Sequence, residues 1–133
     1  MTTTHGSPEA FAWCDRALTE QVLANLVSNA LKYSPAGQPV RITTAQEEGQ
    51  AVCRVADGGP GIPSAEQARL FERFFRGSNA AGTDGIGLGL NIARHLARIQ
   101  QGDLEVRSAP GEGSVFILRL PAANQEEWPD VTA

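Results

Sequence analysis

The chain has 133 residues, of which 41% are hydrophobic and 20% charged, and its formal net charge is -4. That length suits one domain and allows a buried core that needs neither disulfides nor a structural metal. The acidic balance argues against a nucleic-acid-binding surface, which is usually basic. No apolar stretch approaches the roughly 20 residues of a membrane span. We therefore expect a cytoplasmic domain, either by itself or as the cytoplasmic part of a membrane-bound protein.

The two cysteines do not form a CxxC pair, which gives a zinc or redox site little support. Cys14 and Cys53 each lie in an apolar run, and free cysteine is among the most frequently buried residue types. We expect both to be buried free thiols.

Hydrophobic periodicity and turn residues predict the secondary structure in chain order. The predicted elements are a strand at 10–14, a helix at 16–33 capped by Asp15, a hairpin of strands at 40–45 and 51–56, a loop at 57–63, a short helix at 64–71 capped by Ser64, a mobile loop at 76–87, a helix at 88–101, and strands at 103–108 and 114–120. The ends, 1–9 and 122–133, are expected to be a disordered lead and a flexible tail. The pattern predicts an α/β fold, a two-layer sandwich of a mixed, mostly antiparallel sheet with helices on one face.

The first predicted helix carries a polar stripe. Asn25, Asn29 and Lys32 are spaced i, i+4 and i+7, so they share one helix face. Two amide oxygens and an ammonium group on one face suit a Mg²⁺ ion and its phosphates. The competing interpretation is a solvated helix face. Asparagine is a poor helix former, however, so two of them inside a helix need a reason.

A glycine-rich loop, Asp57–Gly61, directly follows a predicted strand. Its glycines permit backbone angles and close ligand approach that a Cβ would block. A carboxylate held at the strand end, in an apolar setting, can accept a hydrogen bond from the exocyclic amine of a purine. The competing interpretation is an ordinary Gly-Pro turn.

A second glycine-rich segment, Gly85–Leu90, leads from the predicted mobile loop into the second long helix. Free backbone N–H groups at a helix N-terminus form an anion site. The spacing matches neither the Rossmann fingerprint nor the Walker A loop. The competing interpretation is a flexible loop with a tight helix start.

Three phenylalanines lie within Leu70–Gly77, just before the predicted mobile loop at 76–87. They suggest a lid that packs down when a ligand is present. Arg73 and Arg76 could reach phosphate groups. The competing interpretation is that the aromatic residues belong to the core.

The order and spacing of these segments resemble sensor histidine kinases over roughly residues 10–121. The matching segments are the asparagine box at Asn25–Pro35, the first glycine box at Asp57–Pro63, the phenylalanine box at Leu70–Arg76, the second glycine box at Gly85–Leu90, and the closing strand at Gly111–Phe116 followed by Leu118–Pro121. The resemblance implies the Bergerat-type α/β sandwich shared with gyrase, the Hsp90 chaperone and MutL.

The resemblance also implies a site for ATP and Mg²⁺. Asn29 would ligate Mg²⁺, with Asn25 assisting. Lys32 would contact phosphate, and Tyr33 would flank the adenine or ribose. Asp57 would accept a hydrogen bond from the adenine amino group.

The other residues that the resemblance implies lie around the nucleotide. The glycines that would shape the adenine pocket or wrap the phosphates are Gly59, Gly61, Gly85, Gly87 and Gly89. The apolar neighbours of the base would be Ile62, Leu90 and Phe116. The remaining nucleotide-binding candidates are Arg76, Leu88 and Ser114.

The phosphoacceptor motif of these kinases, a histidine followed by an acidic residue and Arg-Thr-Pro, has no counterpart here. The histidines are His5, in the polar lead, and His95, whose place in the second long helix favours a structural role. We therefore assign no catalytic residue within the chain, which would be an excised or stand-alone, monomeric ATP-binding domain. Its expected partners are a dimerisation and histidine phosphotransfer domain and a response regulator receiver domain.

Two alternatives belong to the same superfamily. An anti-sigma-type serine kinase or regulatory binding module would share the asparagine and glycine boxes but generally lacks the phenylalanine box. A gyrase-like ATPase would carry a water-activating glutamate four residues before the metal-binding asparagine, where this chain has Asn25. An amide cannot accept a proton as a general base must, so hydrolysis is expected to be slow.

Overall fold

The computed structural model of the chain describes residues 2–3, 11–35, 37–72 and 89–123. The helices in these ranges are α1 (Arg16–Tyr33), α2 (Ser64–Gln67) and α3 (Gly89–Arg98). The strands are β1 (Thr2–Thr3), β2 (Phe11–Ala12), β3 (Arg41–Glu47), β4 (Gln50–Asp57), β5 (Asp103–Ser108) and β6 (Ser114–Ala123). None of these helices combines the length and apolar character needed to cross a bilayer.

The described strands form one sheet in the order β1-β3-β4-β6-β2, with β5 also paired to β6. The β1–β3 pair is parallel and the other pairs are antiparallel. Strands β3 and β4 form the predicted hairpin, joined by Glu48 and Gly49, which both have positive φ. The predicted two-layer α/β sandwich with a mixed, mostly antiparallel sheet is confirmed.

The core lies between one face of this sheet and helices α1 and α3. Residues directly opposite each other, such as Val55 and Phe116, alternate with outward-facing neighbours along β4 and β6. The helices contribute their buried residues at helical spacing. The fully buried helix residues are Val22, Leu26, Ala30, Ala93 and Ala97. This packing fixes the ends of α1, β4 and β6 relative to one another.

Helix α1 begins and ends where local signals predict. The Asp15 carboxylate accepts a hydrogen bond from the Leu18 backbone N–H at 3.0 Å, which satisfies one of the unpaired donors at a helix start. The helix ends at Tyr33, ahead of Pro35, because the residue before a proline is disfavoured in the helical region.

The structure corrects several expectations. Helix α2 ends at Gln67, and its N-cap is Pro63 without a side-chain cap, so the assignment of Ser64 as a cap is wrong. Thr2–Thr3 pairs with β3, which contradicts a wholly disordered lead, and β6 reaches Ala123, beyond the expected start of the tail. The predicted mobile loop lies outside the described residues.

The two cysteines occupy different environments. Burial raises the pKa of the Cys53 thiol to about 11, so this thiol is neutral at ordinary pH. Cys14 is exposed, so its assignment as a buried thiol is wrong. The cause is that β2 ends at Ala12, two residues earlier than the predicted strand.

The observed caps lead to a test of how α1 is stabilised. Asp15→Ala should lower the free energy of unfolding by about 1 kcal/mol, since an N-cap is lost. Ser64→Ala is the matched control and should change it by less than about 0.5 kcal/mol, because Ser64 caps nothing. Urea denaturation measures both. Equal losses would contradict this assignment of the caps.

Candidate functional site

The Asp57 carboxylate lies at the end of β4, where the strand passes into the glycine-rich loop. Its Oδ1 accepts a hydrogen bond from the Gly59 N–H at 2.9 Å, and the backbone N–H of Ser114 also donates to it. Burial raises the pKa of this carboxyl above its ordinary value, and the two backbone donors oppose that rise. The group is thus held in place by amides while it remains partly withdrawn from water.

The loop packs tightly against the end of α1. A Cβ at Gly59 would lie 2.6 Å from the Tyr33 carbonyl oxygen, so only glycine allows this approach. The Gly58 N–H donates to the Ser34 hydroxyl at 3.3 Å. The loop that follows the purine-binding candidate Asp57 is therefore packed directly against the end of α1, the helix that carries the asparagines.

The other side of the loop packs against the turn between β5 and β6. The Gly111 N–H donates to the Pro60 carbonyl at 2.7 Å. Gly61 has φ +79°, and a Cβ there would lie 2.1 Å from the Ala109 carbonyl oxygen. Gly113 has the same φ, and its Cβ would lie 2.1 Å from the Asp57 carbonyl oxygen.

Two polar residues that the sequence analysis missed join these parts. The Ser108 hydroxyl accepts from the Ile62 N–H at 2.8 Å and donates to the Gly113 carbonyl at 2.7 Å. It also lies 3.0 Å from the Ser114 hydroxyl. The Gln67 side-chain amide donates to the carbonyls of Ile62 and Ser108 at 2.9 and 2.8 Å. The only sequence signal for Ser108 was a polar residue at the end of a strand.

The polar stripe of α1 contacts the start of α3 through Asn25. The Asn25 side-chain amide donates to the Gly89 carbonyl at 3.4 Å, Asn29 is partly buried, and Lys32 is exposed. In α3, the Asn91 amide donates to the Phe71 carbonyl at 2.9 Å. The start of α3 is thus tied both to α1 and to the segment that follows α2.

The donor set of this stripe suits Mg²⁺. The Asn25 side chain uses its nitrogen toward Gly89, which leaves its amide oxygen as a possible ligand beside that of Asn29. The described residues hold no cluster of three or more His, Cys, Asp or Glu side chains. A Mg²⁺ ion held by one or two protein oxygens, with phosphates and waters completing its shell, does not require such a cluster.

The structure places five of the predicted site residues around one end of the sheet. The purine-binding candidates that meet there are Asp57, Gly59, Gly61, Ile62 and Ser114. Tyr33 and Leu90 are partly buried, whereas Phe116, 1% exposed, belongs to the core. The predicted contacts of Arg76, Gly85, Gly87 and Leu88 lie outside the described residues.

Residues 14–124 match the family described as "Histidine kinase-, DNA gyrase B-, and HSP90-like ATPase". The chain belongs to this family. It is 47% identical over 110 residues to the sensor-like histidine kinase SenX3 of Mycobacterium tuberculosis, a match that covers 81% of this chain and 27% of that protein. It is 40% identical over 110 residues to the sensory kinase SasA of Crocosphaera subtropica, covering 82% of this chain and 29% of SasA. The chain thus spans between a quarter and a third of these relatives.

Solved structures show the same fold. The mycobacterial sensor histidine kinase MprB superposes with a TM-score of 0.83 at 30% identity, covering 92% of this chain and 83% of that one. Full-length ShkA in complex with AMPPNP superposes with a TM-score of 0.80 at 32% identity, covering 92% of this chain and 25% of that one. The predicted histidine-kinase-type ATPase domain is confirmed, and the anti-sigma-type alternative is not favoured.

Proposed function

We propose that this domain binds ATP with Mg²⁺ and presents the γ-phosphate to a histidine on a separate dimerisation and phosphoacceptor domain. The observation that carries the proposal is the Asp57 carboxylate, oriented by the N–H groups of Gly59 and Ser114 at the end of β4. An ionised carboxylate in this position accepts a hydrogen bond from the adenine amino group. The ShkA structure, which contains an ATP analogue, supports the choice of ligand.

Asn29 and Asn25 would hold the Mg²⁺ ion through their amide oxygens, and Lys32 would contact phosphate. When bound, the ion would neutralise charge on the phosphates. Asn25 also bonds the start of α3, so it would link the metal site to the helix that follows the second glycine box. An amide at position 25 cannot take a proton from water, which favours transfer of the phosphate over its hydrolysis.

The phosphate acceptor would come from another domain. In the described part of the chain the histidine is His95, which is exposed on α3. We assign it no part in the reaction because its surroundings lack the acceptor motif. Docking of the partner domain would hold its histidine next to the γ-phosphate. The transfer would then be an effectively unimolecular step, which is faster than an encounter between two free molecules. A response regulator receiver domain would then take the phosphate, on the cytoplasmic side where ATP is available.

The test supplies labelled ATP and Mg²⁺ to this chain alone and together with the helical histidine domain of a homologous sensor kinase. We expect almost no label on this chain, slow phosphate release, and acid-labile, base-stable label on the added domain. Asn29→Ala should reduce the transfer, and it should weaken ATP binding more with Mg²⁺ than in EDTA.

Three results would contradict the proposal. Rapid labelling of this chain would show that the acceptor lies within it. Brisk phosphate release without a partner would indicate an ATPase. Acid-stable label on a serine of a separate protein would favour the anti-sigma-type alternative.

A further inference from the structure

Three polar side chains form a row across the strand ends at the candidate purine pocket. Ser114 at the start of β6 lies directly opposite Asp57 of β4 on one side and Ser108 of β5 on the other. Directly opposite residues project from the same face of a sheet, with Cβ atoms about 5 Å apart. Ser114 is 6% exposed, so it is withdrawn from solvent at the strand end that also carries Asp57.

The hydrogen-bonding capacity of the Ser108 hydroxyl is fully used. A serine hydroxyl has one hydrogen to donate and two lone pairs that accept. One lone pair receives the Ile62 N–H at 2.8 Å, and the hydrogen goes to the Gly113 carbonyl at 2.7 Å. The remaining lone pair faces the Ser114 hydroxyl at 3.0 Å. Ser114 must therefore be the donor in that pair.

This arrangement fixes the hydrogen-bonding role that the Ser114 hydroxyl can take toward a ligand. Because its single hydrogen is committed to Ser108, Ser114 can meet a ligand only as an acceptor. The neighbouring Asp57 carboxylate is an acceptor as well when ionised. The pocket end of the row thus offers two acceptors, which suit the two hydrogens of a 6-amino group and oppose the lone pairs of a 6-oxo group.

We propose that Ser108 is a positioning residue that selects 6-aminopurine over 6-oxopurine nucleotides by holding Ser114 as an acceptor. This inference rests on the proposed ATP-binding function. Ser108 acts through Ser114 and does not itself touch the base. Without the Ser108 hydroxyl, the Ser114 hydroxyl can rotate and donate to a 6-oxo oxygen.

The strand end is held independently of the Ser108 side chain. The Gln67 amide donates to the backbone carbonyls of Ser108 and Ile62, and the pairing of Ser108 with Ser114 is backbone pairing. A substitution at position 108 therefore frees the Ser114 hydroxyl to donate to a ligand, while the Gln67 hydrogen bonds and the backbone pairing of β5 with β6 remain. Loss of the bond to Ile62 should weaken all nucleotides alike, so the ratio of two affinities isolates the effect on Ser114.

The test measures ATP and ITP affinities with Mg²⁺ by calorimetry, since the base of ITP has an oxo group at position 6. Ser108→Val should reduce the preference for ATP by about three- to tenfold, the range for one hydrogen bond of ordinary strength. Ser108→Thr keeps the shape of valine and the hydroxyl of serine, so it should retain the preference. Ser114→Ala should lose the preference to a similar extent.

The double variant gives the sharpest readout. If Ser108 acts through Ser114, then Ser108→Val should leave the ATP-to-ITP ratio unchanged once Ser114 is alanine. An unchanged ratio in the single Ser108→Val variant would overturn the proposal, and so would independent, additive effects in the double variant. Failure of the wild-type chain to bind ATP at all would instead reject the proposed function, and this inference with it.

Discussion

Asp57→Asn is expected to weaken ATP binding by at least about tenfold, the loss that accompanies removal of a hydrogen bond to a charged group. Position 57 has to accept from Gly59, from Ser114 and from the adenine amine. An asparagine has one acceptor oxygen, and its NH₂ group can only donate. In the variant, the NH₂ group at position 57 would therefore face another donor in at least one of those three contacts.

Calorimetric titration with ATP and GTP measures this effect. The wild-type chain should prefer ATP, and Asp57→Asn should lose most of that preference. Asp15→Asn is the matched control, because asparagine caps a helix as well as aspartate does and should leave binding and stability unchanged. Equal wild-type affinities for ATP and GTP would refute the adenine assignment.

The raised pKa of Asp57 gives the same prediction a pH dependence. Burial favours the neutral carboxyl in the folded state. The contribution of Asp57 to the stability of the ligand-free domain is therefore fully present at pH values below its pKa in the unfolded chain. That contribution is lost as the pH rises through the folded pKa. ATP binding needs the ionised form and should weaken as the pH falls through the same interval, which lies above the ordinary value of 3.8. Asp57→Asn should remove this part of the pH dependence.

Local signals predicted helix α1 and the glycine-rich loop. Asp15 caps the start of the helix, and Pro35 follows its end. In the loop, Asp57, Gly59 and Gly61 all lie within five consecutive residues. Such features depend on neighbours in the chain, so a sequence displays them directly. The two-layer fold followed from the alternation of these elements.

The features that the sequence did not reveal depend on contacts between distant segments. Ser108 binds Ile62 across 46 positions, and Gln67 binds Ser108 across 41. Their roles arise only once the register of β5 and β6 and the position of α2 are known. The Ser64 cap failed for a related reason, since a capping side chain matters only when the helix starts directly after it, and here Pro63 holds that position.

Gly61→Ala is expected to disrupt the site more than any other single-methyl change in the loop. The added Cβ would lie 2.1 Å from the carbonyl oxygen of Ala109 and 2.8 Å from its carbonyl carbon. Both atoms are backbone, so the 58–63 loop must move away from the β5–β6 turn. Because that loop carries Gly59, which orients Asp57, its displacement should weaken ATP binding by more than about tenfold.

Gly111→Ala separates the clash from the cost of the backbone angle. Gly111 has φ +83° against +79° for Gly61, yet nothing lies within 4 Å of a Cβ at Gly111. An alanine in this left-handed region costs about 1–2 kcal/mol at either position. Gly61→Ala should lower the free energy of unfolding by about 1–3 kcal/mol more than that, the usual cost of overpacking, and only Gly61→Ala should lose ATP affinity. If calorimetry and urea denaturation gave the same losses for both variants, the close packing of the loop against Ala109 would not be what shapes the pocket.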